Sequence, residues 1–233
     1  MEPQVPHARS VAVYCASSTA IPQEYLSLAS DAGRAIAERG WEIVYGGGAI
    51  GMMGRCADAA LSAGGRVTGV ITSWLTQLEV AHSGVTELHT VETMHERKLT
   101  MTELADSFLI LPGGFGTLDE TFEAITWKQL GLHNKPIVLL NHDGYFDDLL
   151  RFLQGASARK FIRRAHLDIF SVVPTVEAAL EEIERGTPWS DSLEKWWLGE
   201  SEGAEVGPSG GALRLPRRRD GSDARGDGPA AAG

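Results

Sequence analysis

Cysteine, basic charge and long apolar runs are all scarce in this chain. Its 233 residues include two cysteines: Cys15 in a stretch that reads as a strand and Cys56 in one that reads as a helix. Neither has a second Cys or a His at metal-ligand spacing, which argues against a disulfide bridge or a zinc site and points to buried reduced thiols. Lysine and arginine number 21 against 31 aspartates and glutamates, a formal charge of −10. A nucleic-acid surface normally shows a basic face, so no nucleic-acid partner is expected. A small phosphorylated ligand stays open, because screening over about 8 Å leaves the local residues to decide. No uninterrupted apolar run approaches the roughly 18 residues of a membrane span, and Met1 to Arg9 lacks the apolar segment of a signal peptide, so no membrane association and a cytoplasmic location are expected.

What is present is a regular alternation. Apolar runs at Ser10–Ala16, Trp41–Tyr45, Val67–Thr72, Glu87–Val91, Phe108–Leu111, Pro136–Leu140 and Ile169–Val173 read as strands. Between them, apolar positions recur at helical spacing from Tyr25 to Ala37, Arg55 to Ala63, Thr93 to Leu104, Thr117 to Leu130, Tyr145 to Leu153 and Ala158 to Arg164, with a last helix at Val176–Ile183. Ser73 to Gly84 reads as irregular. This order predicts an α/β fold: a single Rossmann-like domain, with a doubly wound, mostly parallel sheet of about seven strands and helices on both faces. Ligands in such sheets bind beyond the carboxyl ends of the strands. The loops at Ser17-Ser18-Thr19, Gly46–Gly54 and Pro112–Glu120 all lie at such ends.

The domain is expected over residues 10–187, after a flexible N-terminus at 1–9. A Trp-rich extension follows at 188–198, where Trp189, Trp196 and Trp197 should pack back on the domain or on another subunit. Residues 199–233 have no aromatics and many glycines, and read as a disordered tail.

The glycine loops differ in what they can hold. Gly46-x-Gly48-x-x-Gly51 matches the dinucleotide fingerprint by letter, but it follows the second strand, and the next strand ends Val70-Ile71-Thr72-Ser73 without an acid for the ribose. Hydride transfer is therefore disfavoured, and the plain alternative is a tight strand-to-helix turn. No Walker lysine follows either glycine loop, which disfavours NTP hydrolysis. Gly113 to Thr117 can still hold a monophosphate through backbone N–H groups and a hydroxyl at a helix start.

Thr117-Leu118-Asp119-Glu120 has capping-box spacing, which would turn Glu120 back on the Thr117 N–H. A helix terminus favours the ionised carboxylate by about 0.3–1 kcal/mol. Glu120 is thus expected as an anion near neutral pH, suited to stabilising a developing cation or activating water and unsuited to general acid work. Thr93 to Glu96 has the same spacing and puts Arg97 and Lys98 close to a positive helix end. A solvated charged face is the plain reading; an anionic ligand of roughly −1.5 to −2 charges explains the pair better.

Tyr45-Gly46-Gly47-Gly48-x-x-Gly51-x-Met53-Gly54, Thr93-Met94-His95-Glu96-Arg97-Lys98 and Pro112-Gly113-Gly114-Phe115-Gly116-Thr117-x-x-Glu120, in that order, resemble the Lonely Guy family of cytokinin riboside 5'-monophosphate phosphoribohydrolases, long mislabelled as lysine decarboxylases. The likeness runs from about Val11 to Ile183. It takes in Glu79-x-Ala81-His82, Trp127-x-Gln129-Leu130-Gly131 and Asn141-x-Asp143-Gly144-Tyr145-Phe146. It implies hydrolysis of the N-glycosidic bond of an N6-substituted adenosine monophosphate, a homodimer, and no metal or organic cofactor. It also implies that Arg97 and Glu120 are the catalytic pair. Gly114, Gly116 and Thr117 would bind the phosphate, and Ser17, Gly47, Glu79, Met94 and Lys98 would complete the pocket. The helix from Thr117 to Leu130 is the expected dimer interface. Three alternatives remain: a general purine-monophosphate nucleosidase, a non-catalytic nucleotide carrier or sensor of the same fold, and a PLP-dependent decarboxylase. The last is disfavoured because no lysine sits in a recognisable PLP context.

Overall fold

A computed structural model of the chain describes residues 9–78, 81–186 and Trp189. Seven strands form one sheet: β1 (Ser10–Tyr14), β2 (Glu42–Tyr45), β3 (Val67–Thr72), β4 (Glu87–Val91), β5 (Ser107–Ile110), β6 (Ile137–Leu140) and β7 (Ser171–Val173). Their order is β4-β3-β2-β1-β5-β6-β7, and every pairing is parallel. The expected α/β architecture is thus observed, and among the described residues the sheet is wholly rather than mostly parallel. The connecting helices are α1 (Gln23–Glu38), α2 (Gly51–Ser62), α3 (Leu75–Leu78), α4 (Met94–Leu104), α5 (Phe115–Gln129), α6 (Asp147–Ala158) and α7 (Val176–Arg185).

Strand alternation distributes the core. Val11 and Val13 of β1 face a cluster built with α1, α2 and α7, whereas Ala12 and Tyr14 face one built with α4 and α5. With helices on both faces the central strands are buried throughout, which is why β5 (SFLI) and β6 (IVLL) read as continuous runs. The edge strand β4 is largely exposed and correspondingly carries Glu87 and His89. Cys15 and Cys56 are both buried, and burial pushes the Cys15 thiol well up and that of Cys56 to about 12, so neither is a ready nucleophile.

Several boundaries differ from the sequence expectation. The helix expected from Arg55 begins four residues earlier, at Gly51, so α2 starts inside the glycine loop. The stretch expected to be irregular contains α3. No α-helix spans Ala158 to Arg164. Instead α6 runs on to Ala158, Lys160 takes a left-handed backbone (φ 67°), and a short 3-10 turn follows at Arg164–Asp168. Arg9, expected in a flexible terminus, is anchored: Nη1 donates to the Ile183 carbonyl at 2.9 Å, and the guanidinium lies 5.2 Å from the Trp41 ring centre. Trp189 packs back on the domain, its N–H donating to Asn134 Oδ1 and its indole N–H to the Ala165 carbonyl, both at 3.2 Å. Trp196, Trp197 and the tail at 199–233 lie outside the described residues. None of the described helices is long and apolar enough to cross a membrane.

The order in which the strands are laid down reverses between β1 and β5. At that switch point the loops after the two strands lie side by side, with the Ala16 N–H donating to the Pro112 carbonyl at 3.2 Å.

Candidate functional site

Thr93 caps α4 in a complete capping box. Its hydroxyl accepts the Glu96 N–H at 3.1 Å, and the Glu96 carboxylate accepts the Thr93 N–H at 3.1 Å. One residue on, Arg97 turns inward and is only 6% exposed. Three of the five N–H donors of its guanidinium are engaged: Nε donates to the Val70 carbonyl at 2.9 Å, Nη2 to the Gly46 carbonyl at 3.1 Å, and Nη1 to Glu120 Oε1 at 3.2 Å. A side chain at position 46 would prevent this, since its Cβ would lie 1.9 Å from Nη2. Gly46 therefore serves Arg97 rather than a dinucleotide, and two carbonyls, one just past β2 and one within β3, fix where the cation sits.

The capping box expected at Thr117 does not form. The N-cap of α5 is Gly114, so Thr117 already lies in the helix, and the Glu120 side chain meets Arg97. Nor is Glu120 the ordinary anion expected near neutral pH. Burial pushes its carboxyl up to about 7, against the attraction of Arg97, and the neighbouring Asp119 adds to the rise. A carboxyl titrating there is ionised in part at neutrality and can work in either protonation state.

Lys98 also differs from expectation. Its Nζ lies 3.1 Å from both Asp119 Oδ2 and Glu123 Oε1. The two cations of α4 thus face three carboxylates of α5, and protein groups, not an anionic ligand, explain their presence at a helix start. Asp119 and Glu123 were not singled out in the sequence; their spacing of four on one helix face was the available signal.

The other expected residues that are described follow the carboxyl ends of strands. Ser17 follows β1 and packs against Gly51 at the start of α2; Gly47, with φ 76°, packs on Ile71, and its carbonyl accepts the His82 N–H at 3.0 Å. Met94 opens α4 and is 37% exposed. Thr117 is buried at the start of α5. A Cβ on Gly114 or Gly116 would meet no protein atom within 4 Å, so packing does not demand glycine there, whereas a close-lying ligand would. Glu79 lies outside the described residues. Among those described, no cluster of three His, Cys, Asp or Glu side chains could hold a metal ion.

A groove of about 550 Å³ runs along α5, lined by Phe115, Leu118, Asp119, Phe122, Glu123, Thr126 and Trp127. Neither Arg97 nor Glu120 lines it, so it belongs to the outer face of α5 rather than to the charged pair. Phe115 at its end is 94% exposed.

A parallel sheet with a glycine loop at its switch point and a buried Arg–Glu pair beside it defines a Rossmann-like protein with a small-molecule site. A family model described as "Possible lysine decarboxylase" matches residues 53–183. A cytokinin riboside 5'-monophosphate phosphoribohydrolase of Rhodococcoides fascians is 46% identical over 179 residues, 76% of this chain and 90% of that protein. The enzyme of that name from Oryza sativa is 41% identical over 192 residues, covering 79% of each, and one from Arabidopsis thaliana 39% over 180 residues, covering 77% of this chain and 84% of the other. The chain belongs to this family, the Lonely Guy phosphoribohydrolases. Among solved structures, a molybdenum cofactor binding protein from Rippkaea orientalis aligns with a TM-score of 0.61 at 22% identity, over 78% of this chain and 98% of the other. The molybdenum cofactor carrier protein of Chlamydomonas reinhardtii gives 0.59 at 20%, over 77% and 98%. At such identities these two share the fold and carry no argument about ligand.

Proposed function

We propose that the protein hydrolyses the N-glycosidic bond of N6-substituted adenosine 5'-monophosphates, the cytokinin nucleotides, to free base and ribose 5-phosphate. The observation that carries this reading is the contact between Arg97 and Glu120 at the carboxyl end of the sheet, next to the start of α5.

Breaking the bond between C1′ and the base builds positive charge on the ribose, and water adds at C1′ as the base leaves. An ionised carboxylate beside C1′ attracts that charge more strongly in the transition state than in the ground state. Glu120 takes this role and orients the water. Arg97, held by two carbonyls, fixes Glu120 and positions the substrate before reaction begins. Gly114, Gly116 and Thr117 receive the phosphate at the N-terminus of α5, where helix geometry leaves N–H groups without intrahelical partners. Ser17, Gly47, Met94 and Lys98 complete the pocket, and Glu79 is assigned to it on the family likeness alone. Lys98 acts there through Asp119 and Glu123, whose charges it balances.

The apolar groove along α5 supports a homodimer built on that helix, with a second copy covering Phe115, Phe122 and Trp127. The catalytic domain spans residues 10–187 and works in the cytoplasm, with 188–198 and 199–233 as appendages. Light scattering at micromolar concentration should give twice the chain mass; a monomer would remove the dimer from this account.

The function is tested by incubating the protein with AMP and with isopentenyladenosine monophosphate in parallel and separating free base by chromatography. Base released from the N6-substituted nucleotide supports the reading. Equal release from both makes the protein a general purine-monophosphate nucleosidase. Binding without release makes it a carrier.

A further inference from the structure

The loop between β6 and α6 takes no part in the proposed chemistry, yet it is held at several points. Asn141 Oδ1 accepts the Phe146 N–H at 2.7 Å, Asn141 Nδ2 donates to Asp147 Oδ1 at 2.8 Å, and the Asn141 N–H donates to the Val173 carbonyl at 2.8 Å. Asp143 and Gly144 make the turn in left-handed backbone, with φ 49° and 73°. The result is the placement of one side chain. The Tyr145 ring stands edge-on to Phe146, with 5.0 Å between centres, and to Tyr25 of α1 at 5.7 Å. Its hydroxyl donates to the Gly113 carbonyl at 2.9 Å.

Gly113 is fixed on its other side as well. A Cβ there would lie 2.1 Å from Thr117 Oγ1, so the loop closes on its own helix only with glycine at this position. In a trans peptide the carbonyl and the following N–H point in opposite directions. A Gly113 carbonyl held toward Tyr145 therefore aims the Gly114 N–H away from it. That N–H belongs with those of Phe115, Gly116 and Thr117, which also lack intrahelical partners.

We infer that Tyr145 is a positioning residue for phosphate recognition: through the Gly113 carbonyl it sets the peptide plane that aims the first donor of the cradle. This rests on the assignment of the loop to the substrate's phosphate. Tyr145 touches no reacting atom. It acts on how well the phosphate is held and not on the bond that breaks.

The test is Tyr145→Phe, which keeps the ring against Phe146 and Tyr25 and removes only the hydroxyl. Steady-state constants are measured for isopentenyladenosine monophosphate and for the nucleoside lacking the phosphate, together with inhibition by ribose 5-phosphate. Loss of one neutral hydrogen bond should raise the nucleotide KM and the ribose 5-phosphate inhibition constant about five- to tenfold. The nucleotide kcat and the nucleoside kcat/KM should stay near wild type. The ratio of kcat/KM between the two substrates does not depend on the fraction folded, so a merely structural role would leave it unmoved. An unchanged ratio in the variant overturns the inference about Tyr145 alone. A wild type that cleaves nucleotide and nucleoside equally well overturns the phosphate loop, and the inference with it.

Discussion

Arg97 Nη1 meets Glu120 Oε1 at 3.2 Å, although the two residues lie 23 positions apart, on α4 and α5. Arg97 is buried and Glu120 largely so, with side-chain exposures of 7% and 13%. The electrostatics of the pair are unequal. Arg97 has two backbone carbonyls besides the carboxylate, whereas burial of Glu120 outweighs the attraction of Arg97 and lifts its carboxyl to about 7.

Glu120→Gln should therefore lose activity without losing the fold. An unfolded glutamate titrates near 4.3. Between there and about 7 the folded protein binds more protons than the unfolded chain, so stability falls as pH rises through that window and then levels off. Glutamine escapes this cost, which is on the order of 3–4 kcal/mol well above pH 7 before the partner lost by Arg97 is counted. Thermal melts at pH 8 should show the variant at least as stable as the wild type. A melting temperature lowered by many degrees would mean that the ion pair stabilises the fold.

If ionised Glu120 is the working form, kcat/KM should rise with a single ionisation near pH 7 and reach a plateau above it. A profile falling through the same range would assign the work to the protonated acid.

Gly46→Ala tests the seat of Arg97. The added Cβ would stand 1.9 Å from Nη2, and the guanidinium has to leave the Gly46 carbonyl. Activity should fall about as far as in Arg97→Ala, by at least ~100-fold if the preorganised charge is the main contributor. Circular dichroism should still report an α/β fold. Wild-type kcat/KM in Gly46→Ala would show that the placement of Arg97 is not critical.

His133, at the far end of α5, should govern an acid weakness. Its Nε2 donates to the Ala124 carbonyl at 3.0 Å, its Nδ1 accepts the Lys135 N–H at 3.2 Å, and burial with two nearby lysines pushes its pKa down to about 4. Unfolded histidine titrates near 6.5. The neutral ring's contribution is complete above that value and is lost as pH falls toward 4. Glu120 works in the opposite sense over this range, so the His133 effect is read as a difference: between pH 7 and pH 5 the wild-type urea midpoint should drop relative to that of His133→Gln. An equal change in the variant would place the effect elsewhere.

Much of this was legible before the fold. Continuous runs such as Ile137–Leu140 and the regular strand–helix alternation were enough for the sheet, and glycine loops at strand ends were enough for the site's location. Helix starts were less legible, because Gly51 and Phe115 continue their loops without a break in the sequence pattern. The same uncertainty produced the mistaken capping box: Thr117 and Glu120 have its spacing, but a helix starting two residues before Thr117 puts that spacing in the wrong turn. The pairing of Lys98 with Asp119 and Glu123, and the seat of Arg97 on Gly46 and Val70, are contacts between distant segments. No local pattern encodes them. The Tyr145 contact with Gly113 is of the same kind: its motif was visible, while its target depends on β6 lying beside β5.

If Glu120 carries the chemistry, removing its charge alone should stop the reaction. The direct measurement is free base released from isopentenyladenosine monophosphate at pH 8 by wild-type protein and by Glu120→Gln, both confirmed folded and both tested for nucleotide binding. Rapid release by the wild type is expected, with a loss of at least ~100-fold in kcat for the variant and binding kept. Release by the variant at a rate near wild type would contradict that role for Glu120.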